Sequence, residues 1–307
     1  MAIVSGQPVP GSVPGRLQTA DLREPSGWRR SKNQIMTILM WVALVIVLVP
    51  LVFVLYTVIA KGAGAISWQF LTSGTIPPNV LPLGVDGMGP AVIGTLEITG
   101  FAALIAVPLG VLGAIYVNEY GGGGILGKII AFMSDVMTGV PSIVMGLFIY
   151  TIWVTRFGFS GLAGSFALAC LMLPVVIRSS MEMLRLVPDA LRQGSYALGA
   201  SRSRVTLTVV LPAALGGIVS GSLLAIARAA GETAPLLFTI LTVESTNTNL
   251  FSGANTTLSA QIFVNAQSPY VGAEARAWGA ALTLIAIAFI LMITARLVTA
   301  RFARYSR

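Results

Sequence analysis

Long apolar runs alternate with shorter polar ones along this chain, and the run lengths set its architecture. Residues 35–60, 91–117, 129–154, 213–243 and 277–298 each hold the roughly 20 apolar residues that a helix needs to cross a bilayer. Residues 161–177 begin a further run whose polar extension reaches Leu186. Six spans follow, and with them an all-α polytopic membrane protein. Several runs carry helix breakers that membrane helices tolerate: Pro108 in the second, Pro141 in the third and Pro235 in the fifth. The fifth also carries Arg228 and Glu232, so a broken helix is expected there. Between the runs, 61–90 reads as a Pro/Gly-rich loop with Trp68, Phe70, Pro77, Pro78 and Pro82. Residues 118–128 read as a Gly-rich turn, and 244–275 as an Asn/Thr/Ser-rich external loop.

Composition sharpens this picture. The chain has 307 residues, 55% of them hydrophobic and only 10% charged, yet a net charge of +8; its mean hydropathy is +0.86. In a membrane protein such an excess marks inner loops, not nucleic-acid binding. Arg16, Arg23, Arg29, Arg30 and Lys32 precede the first run, and Arg296, Arg301, Arg304 and Arg307 lie at or beyond the end of the last. Arg185, Arg192, Arg202 and Arg204 fall on the same side, while the outer loops hold Lys61, Arg156 and Arg276. Both ends are therefore expected in the cytoplasm. Residues 1–34 read as a disordered cytoplasmic tail ending in a basic cluster and not as a cleaved signal peptide. Residues 299–307 read as a basic tail. The single cysteine, Cys170, excludes an intramolecular disulfide, and histidine is missing altogether. Little basis is left for a metal site or nucleophilic catalysis.

One polar stretch, 185–212, is too charged to cross a membrane cheaply and yet is patterned for order. Pro188 suits a first helical turn, and Ala190, Leu191, Ser195, Tyr196 and Leu198 continue a helical pattern. Gly199 stands where a C-terminal cap belongs, and Ser201 can open a second short helix towards Leu211 and Pro212. A helical hairpin held between spans is suited to docking another protein, although an ordinary amphipathic connector has the same composition.

Other signals are weaker. The run from Gly122 to Lys128 has the look of a phosphate-binding loop, but Ile129 stands where Ser or Thr would hold magnesium, and a span precedes it instead of a strand. Asp135 and Glu97, within or near spans, are read as structural ties between helices. Arg228 and Glu232 at i,i+4 share a helix face among small residues. They are either a structural ion pair or a cation on an anion path. Arg178 and Glu182 repeat the spacing where a solvated or loop-anchoring pair is expected.

Gly199, nine residues, Val209, one residue and Leu211-Pro212 resemble the coupling loop of bacterial ABC-type importer permeases, with Gln193, Gly194 and Ser195 where that family usually has Glu-Ala-Ala. The stretches 139–144, 173–178, 184–188 and 231–239 closely resemble the PstA family of phosphate importer permeases, from about Gly89 to the last span. The resemblance implies an ABC type I importer permease fold over 91–298, with 35–90 contributing a first helix and an external loop. It implies that Gln193, Gly194, Ser195, Gly199, Leu211 and Pro212 couple to an ATPase, and that Arg228, Glu232 and Arg178 line the translocation path. The implied partners are a homologous permease, PstC, an ATP-binding subunit dimer and an external phosphate-binding protein, in a prokaryotic inner membrane. ATP and magnesium would be used by the partner ATPase, with no cofactor bound by this chain and no chemistry catalysed by it. One departure is Met181, where the family often has Glu three residues after the Arg of the 173–178 segment. Asn255-Thr256-Thr257 matches a glycosylation sequon that such a source leaves idle. A permease for molybdate, sulfate or phosphonate, or an anion transporter driven by an ion gradient, remains open on these residues.

Overall fold

Apolar side chains on every face leave a helix with no side suited to water, and the first helix of the computed structural model is of this kind. The structure describes residues 27–75, 87–121, 123–243, 245 and 247–305. The expectations for residues 1–26, for Pro77, Pro78, Pro82 and Gly122, and for the last two residues lie outside these. Helix α1 (Gly27–Gly62) spans the expected first run and extends it at both ends. The chain falls into two compact units, Met1–Leu55 and Tyr56–Arg307, with the division inside α1. In the first, Val42, Ile46, Val49 and Phe53 are all exposed, as a lipid-facing helix requires.

Among the described residues, every regular element of the second unit is a helix. Helix α2 (Trp68–Thr72) is a single turn within the expected loop, capped by the Ser67 hydroxyl accepting from the Phe70 N–H and anchored by buried Phe70. Helix α3 (Gly89–Ile115) continues as a π-turn, Tyr116–Tyr120, so Asn118, Glu119 and Tyr120 are helical and not part of a turn as the sequence suggested. The wide turn accommodates one more residue before the glycines release the chain.

The third apolar run is not one straight span. Helix α4 (Ile125–Gly139) meets α5 (Ser142–Ile149), which continues through a π-turn into α6 (Thr155–Phe157), at 106°. Pro141 explains the elbow: it pushes Val140 into an extended conformation (φ −76°, ψ 128°) and offers no N–H to continue α4. Among the described residues, five helices are long and apolar enough to cross a membrane, and six spans result when this bent pair is one of them.

Helix α7 (Gly161–Arg185) contains Pro174 and packs along α3, where Ala102, Ala106, Leu168 and Met172 interdigitate with Leu236 and Ile240. Helices α8 (Asp189–Ala197) and α9 (Arg202–Val205) form the hairpin expected in 185–212. Pro188 sits at the cap of α8, not inside its first turn. The second short helix does not stop at Leu211: α9 passes through a π-turn (Thr206–Val210) into α10 (Leu211–Ala230), making one span of 29 residues. Pro212 follows closely on that π-turn inside the continuous helix, and since it has no N–H to offer the preceding turn, the regular ladder is interrupted there. The expected break follows at Gly231, before α11 (Ala234–Thr239).

The segment 244–275 contains a surprise. Helix α12 (Leu258–Ala266) buries Leu258, Ser259, Ala260, Gln261 and Asn265, although its neighbourhood is rich in Asn, Thr and Ser. Its polar groups are satisfied inside the protein, which permits such a sequence to leave water. The Leu258 N–H donates to Thr95 Oγ1 at 2.8 Å, Asn265 Nδ2 to Gln261 Oε1 at 2.9 Å, and Gln261 Nε2 to the Val243 carbonyl at 3.0 Å. Gly94 permits the approach, since a Cβ there would fall on the Thr256 carbonyl. Asn255 of the sequon is itself buried. Helix α13 (Val271–Tyr305) is the last span, and Gly279 and Ala280 seat it against Phe70.

Candidate functional site

Two helix breaks and the proline-bearing middle of α7 converge on one cavity of about 240 Å³. Met137, Thr138, Pro141 and Ser142 come from the α4–α5 elbow, Leu171, Met172 and Pro174 from α7, and Arg228, Ala229 and Glu232 from the α10–α11 break. Broken helices expose backbone donors and acceptors that an intact helix would consume, so polar backbone inside a membrane belongs where it lines a cavity. Ser142, in the first turn of α5, lines the cavity, and the positive end of that helix dipole favours negative charge there.

The Arg228 guanidinium lies 3.7 Å from Glu232 Oε1 by its Nε, so the expected i,i+4 pair is present. The exposure of its two members is unequal. The Arg228 side chain is 72% accessible and the Glu232 side chain 22%. A pair this loose and open contributes at most about 1 kcal/mol to folding. The Glu232 side chain is the more enclosed of the two, and its backbone is anchored where Ser259 of α12 donates to the Glu232 main-chain carbonyl at 3.0 Å. The arrangement is a seated anion holding a cation that can turn away.

Arg178 is elsewhere. It lies further along α7, where it pairs with Asp135 of α4 and not with Glu182. Asp135 therefore ties two helices, as expected, while the expected Arg178–Glu182 pair does not form. Ser134 adds to this tie by donating to the Pro174 carbonyl at 3.2 Å. With Met181 at the third position from Arg178, the cation finds its carboxylate on the neighbouring helix. Arg178, Asp135, Glu182 and Arg185 line a second cavity, of about 270 Å³. Arg185 also lines a third, of about 410 Å³, with Glu119, Asp189, Arg192 and Arg202. Polar cavities thus succeed one another along α7 from Leu171 to Arg185.

The 185–212 segment presents its outer face freely. Gln193, Gly194 and Gly199 are exposed, Ser195 is half-buried and donates to the Leu191 carbonyl, and Pro212 is exposed. Leu211 packs into the core beneath. Gly199 has φ +81°, the left-handed conformation that closes α8, and its N–H donates to the Tyr196 carbonyl at 2.9 Å. Beside it Leu198 is 90% exposed, and Leu191 and Tyr196 are exposed too. Apolar side chains grouped on a charged segment mark a surface for a protein partner.

Sequence reasoning missed Glu119, which is 5% exposed and accepts from Arg192 Nη2 at 3.0 Å. An acidic residue at the inner end of a span, among basic neighbours, was the available signal. Among the described residues no group of His, Cys, Asp and Glu is placed to hold a metal ion.

The family model of the binding-protein-dependent transport system inner membrane component matches residues 106–304. Phosphate transport system permease protein PstA 1 of Mycobacterium tuberculosis (strain CDC 1551 / Oshkosh) is 41% identical over 276 residues, covering 88% of this chain and 89% of that protein. Phosphate transport system permease protein PstA of Yersinia pestis is 39% identical over 280 residues, covering 91% and 94%. Among solved structures, a chain of the MetNI methionine ABC transporter in inward-facing conformations superposes with a TM-score of 0.51 at 20% identity, covering 71% of this chain and 94% of its own. That likeness establishes the fold of an ABC type I importer permease. With its multi-pass helical architecture and this extent of identity, the chain belongs to the binding-protein-dependent inner-membrane permeases and, within them, to the PstA family of phosphate transport system permeases.

Proposed function

We propose that this chain is the permease subunit of an ATP-driven importer of inorganic phosphate, forming half of the translocation pore. Its neighbours in the assembly are a homologous permease of the PstC type, a dimer of ATP-binding subunits and an external phosphate-binding protein, in a prokaryotic plasma membrane. Both termini and the 185–212 segment face the cytoplasm. The observation that carries this reading is the cavity where the α4–α5 and α10–α11 breaks meet α7, with a loosely held guanidinium, Arg228, on its wall.

Phosphate carries one to two negative charges at neutral pH, and hydrocarbon strongly opposes a bare anion. A cation that is too free would trap it, so conduction needs binding weak enough to release. Glu232 meets both demands by holding Arg228 between passages and yielding it to an anion. Arg178, paired with Asp135 in the next cavity along α7, offers a second exchangeable cation. ATP-driven closure of the partner subunits moves the segment around Gly199, and rigid-body motion switches the pore between outward- and inward-open states. The ATPase contact is made by Gln193, Gly194, Ser195, Gly199, Leu211 and Pro212. Hydrolysis, with its ATP and magnesium, belongs to the partner subunits.

The test of substrate is competition. Labelled phosphate uptake by the assembled complex should be displaced by unlabelled phosphate and unaffected by equal sulfate, molybdate or phosphonate. Displacement by one of those anions instead of by phosphate would reassign the substrate.

A further inference from the structure

The tip of α3 is gripped from three sides. Asn118, Glu119 and Tyr120 are consecutive on its terminal π-turn, so their side chains leave the axis roughly 80–100° apart. Each meets an arginine from a different part of the 185–212 segment. Asn118 Oδ1 accepts from Arg185 Nε at 3.4 Å, at the end of α7. Glu119 accepts from Arg192 on α8 at 3.0 Å. The Tyr120 ring lies 5.2 Å from the guanidinium of Arg202, at the start of α9.

Of the three, the Arg192 contact is the most committed. Its guanidinium also donates to the carbonyls of Leu184 at 2.9 Å and Val187, and to Asp189 at 3.1 Å. One planar group therefore ties α8, the end of α7 and the tip of α3 together. With Glu119 5% exposed and Arg192 16%, the pair is largely withdrawn from water, where geometry is held tightly. Asn118 adds a bond to the Met181 carbonyl at 2.8 Å.

We infer that the tip of α3 is the socket through which motion of the 185–212 segment reaches the Arg228–Glu232 break, with Glu119 and Arg192 as its positioning residues. The inference rests on the coupling role proposed for that segment. Contacts spread over about half the circumference of a helix prevent the segment from tilting without carrying α3. Further along, Ile98, Ala102 and Ala106 of the same helix pack with Ala229, Leu236 and Ile240, which flank the break on both sides. The path is therefore one continuous helix, with Pro108 along it, gripped at one end and packed beside the site further along.

The experiment uses the complete complex in proteoliposomes and measures the ratio of phosphate moved to ATP hydrolysed, with co-purification reporting assembly. Glu119→Gln should assemble and hydrolyse ATP, with that ratio reduced about tenfold. Glu119→Asp, which keeps the charge, should recover most of it. A purely structural role predicts fewer complexes but an unchanged ratio per complex, and that result would overturn the inference. Should Glu119→Gln fail to assemble, Tyr120→Leu, at an exposed position, is decisive: a lowered ratio supports the socket and a wild-type ratio refutes it. A wild-type complex with no ATP-linked uptake would remove the coupling reading itself, an outcome distinct from normal wild-type transport with unaffected variants.

Discussion

Arg228→Gln should leave an assembled complex that hydrolyses ATP but moves little phosphate. The two roles open to this residue, structural tie and anion contact, have different energetic signatures, and the geometry separates them. Removing one member of a buried pair costs roughly 3–5 kcal/mol, because the other is left uncompensated. Arg228 is mostly accessible and sits 3.7 Å from its partner, so the pair lies in the surface regime of about 0–1 kcal/mol. Assembly should therefore survive. A hydrogen bond to a charged group, in contrast, stabilises by about 1.5–3 kcal/mol. If it is lost only where the anion passes, uptake falls roughly 10- to 100-fold. The double variant Arg228→Gln/Glu232→Gln should be equally inactive. Should the single variant lose assembly and the double variant regain both assembly and transport, the pair is structural. Normal uptake in Arg228→Gln would exclude both roles.

Gly199→Val should uncouple the complex without unfolding the chain. A Cβ at Gly199 would meet nothing within 4 Å, so space is not the difficulty. The difficulty is the backbone: φ is +81°, and a β-branched residue there is a genuine outlier. Left-handed backbone costs an L-residue about 1–2 kcal/mol, and more when the side chain branches at Cβ. The α8 terminus can escape that strain by opening its last turn, which would displace exposed Leu198 and alter the docking face. Gly199→Asn, which tolerates the left-handed region, should retain most activity. Co-purification with the ATPase and ATP-driven uptake are the readouts, and wild-type values of both in Gly199→Val would refute the requirement.

Much of the architecture was legible because bilayer thickness dictates run length, and each expected span is mainly helical, with breaks at Pro141 in the third and Gly231 in the fifth. Gly199 was legible because a helix end that needs positive φ selects glycine. The Arg228–Glu232 pair followed from spacing alone, since i and i+4 share a face. Four features were not legible, each for a physical reason. The 106° elbow at Pro141 looks like an ordinary proline in an apolar run, because the sequence does not say whether neighbouring helices will accept a bend. Helix α12 was hidden by its own composition: Gln261 and Asn265 bond to each other, and Gln261 and Asn255 to the backbone, so polarity there does not mean solvent. Arg178 was assigned the nearer carboxylate, Glu182, but Asp135 on α4 is the one it pairs with, and only tertiary packing determines that choice. The socket around Glu119 was hidden by the same limitation, because its three arginines lie more than sixty residues away in sequence.

The most direct test of the account is uptake of labelled phosphate by membrane vesicles that hold this chain, its partner permease, the ATPase and the phosphate-binding protein. The account predicts accumulation that requires ATP and continues when ion gradients are collapsed. Accumulation without ATP that disappears with the gradient would contradict it.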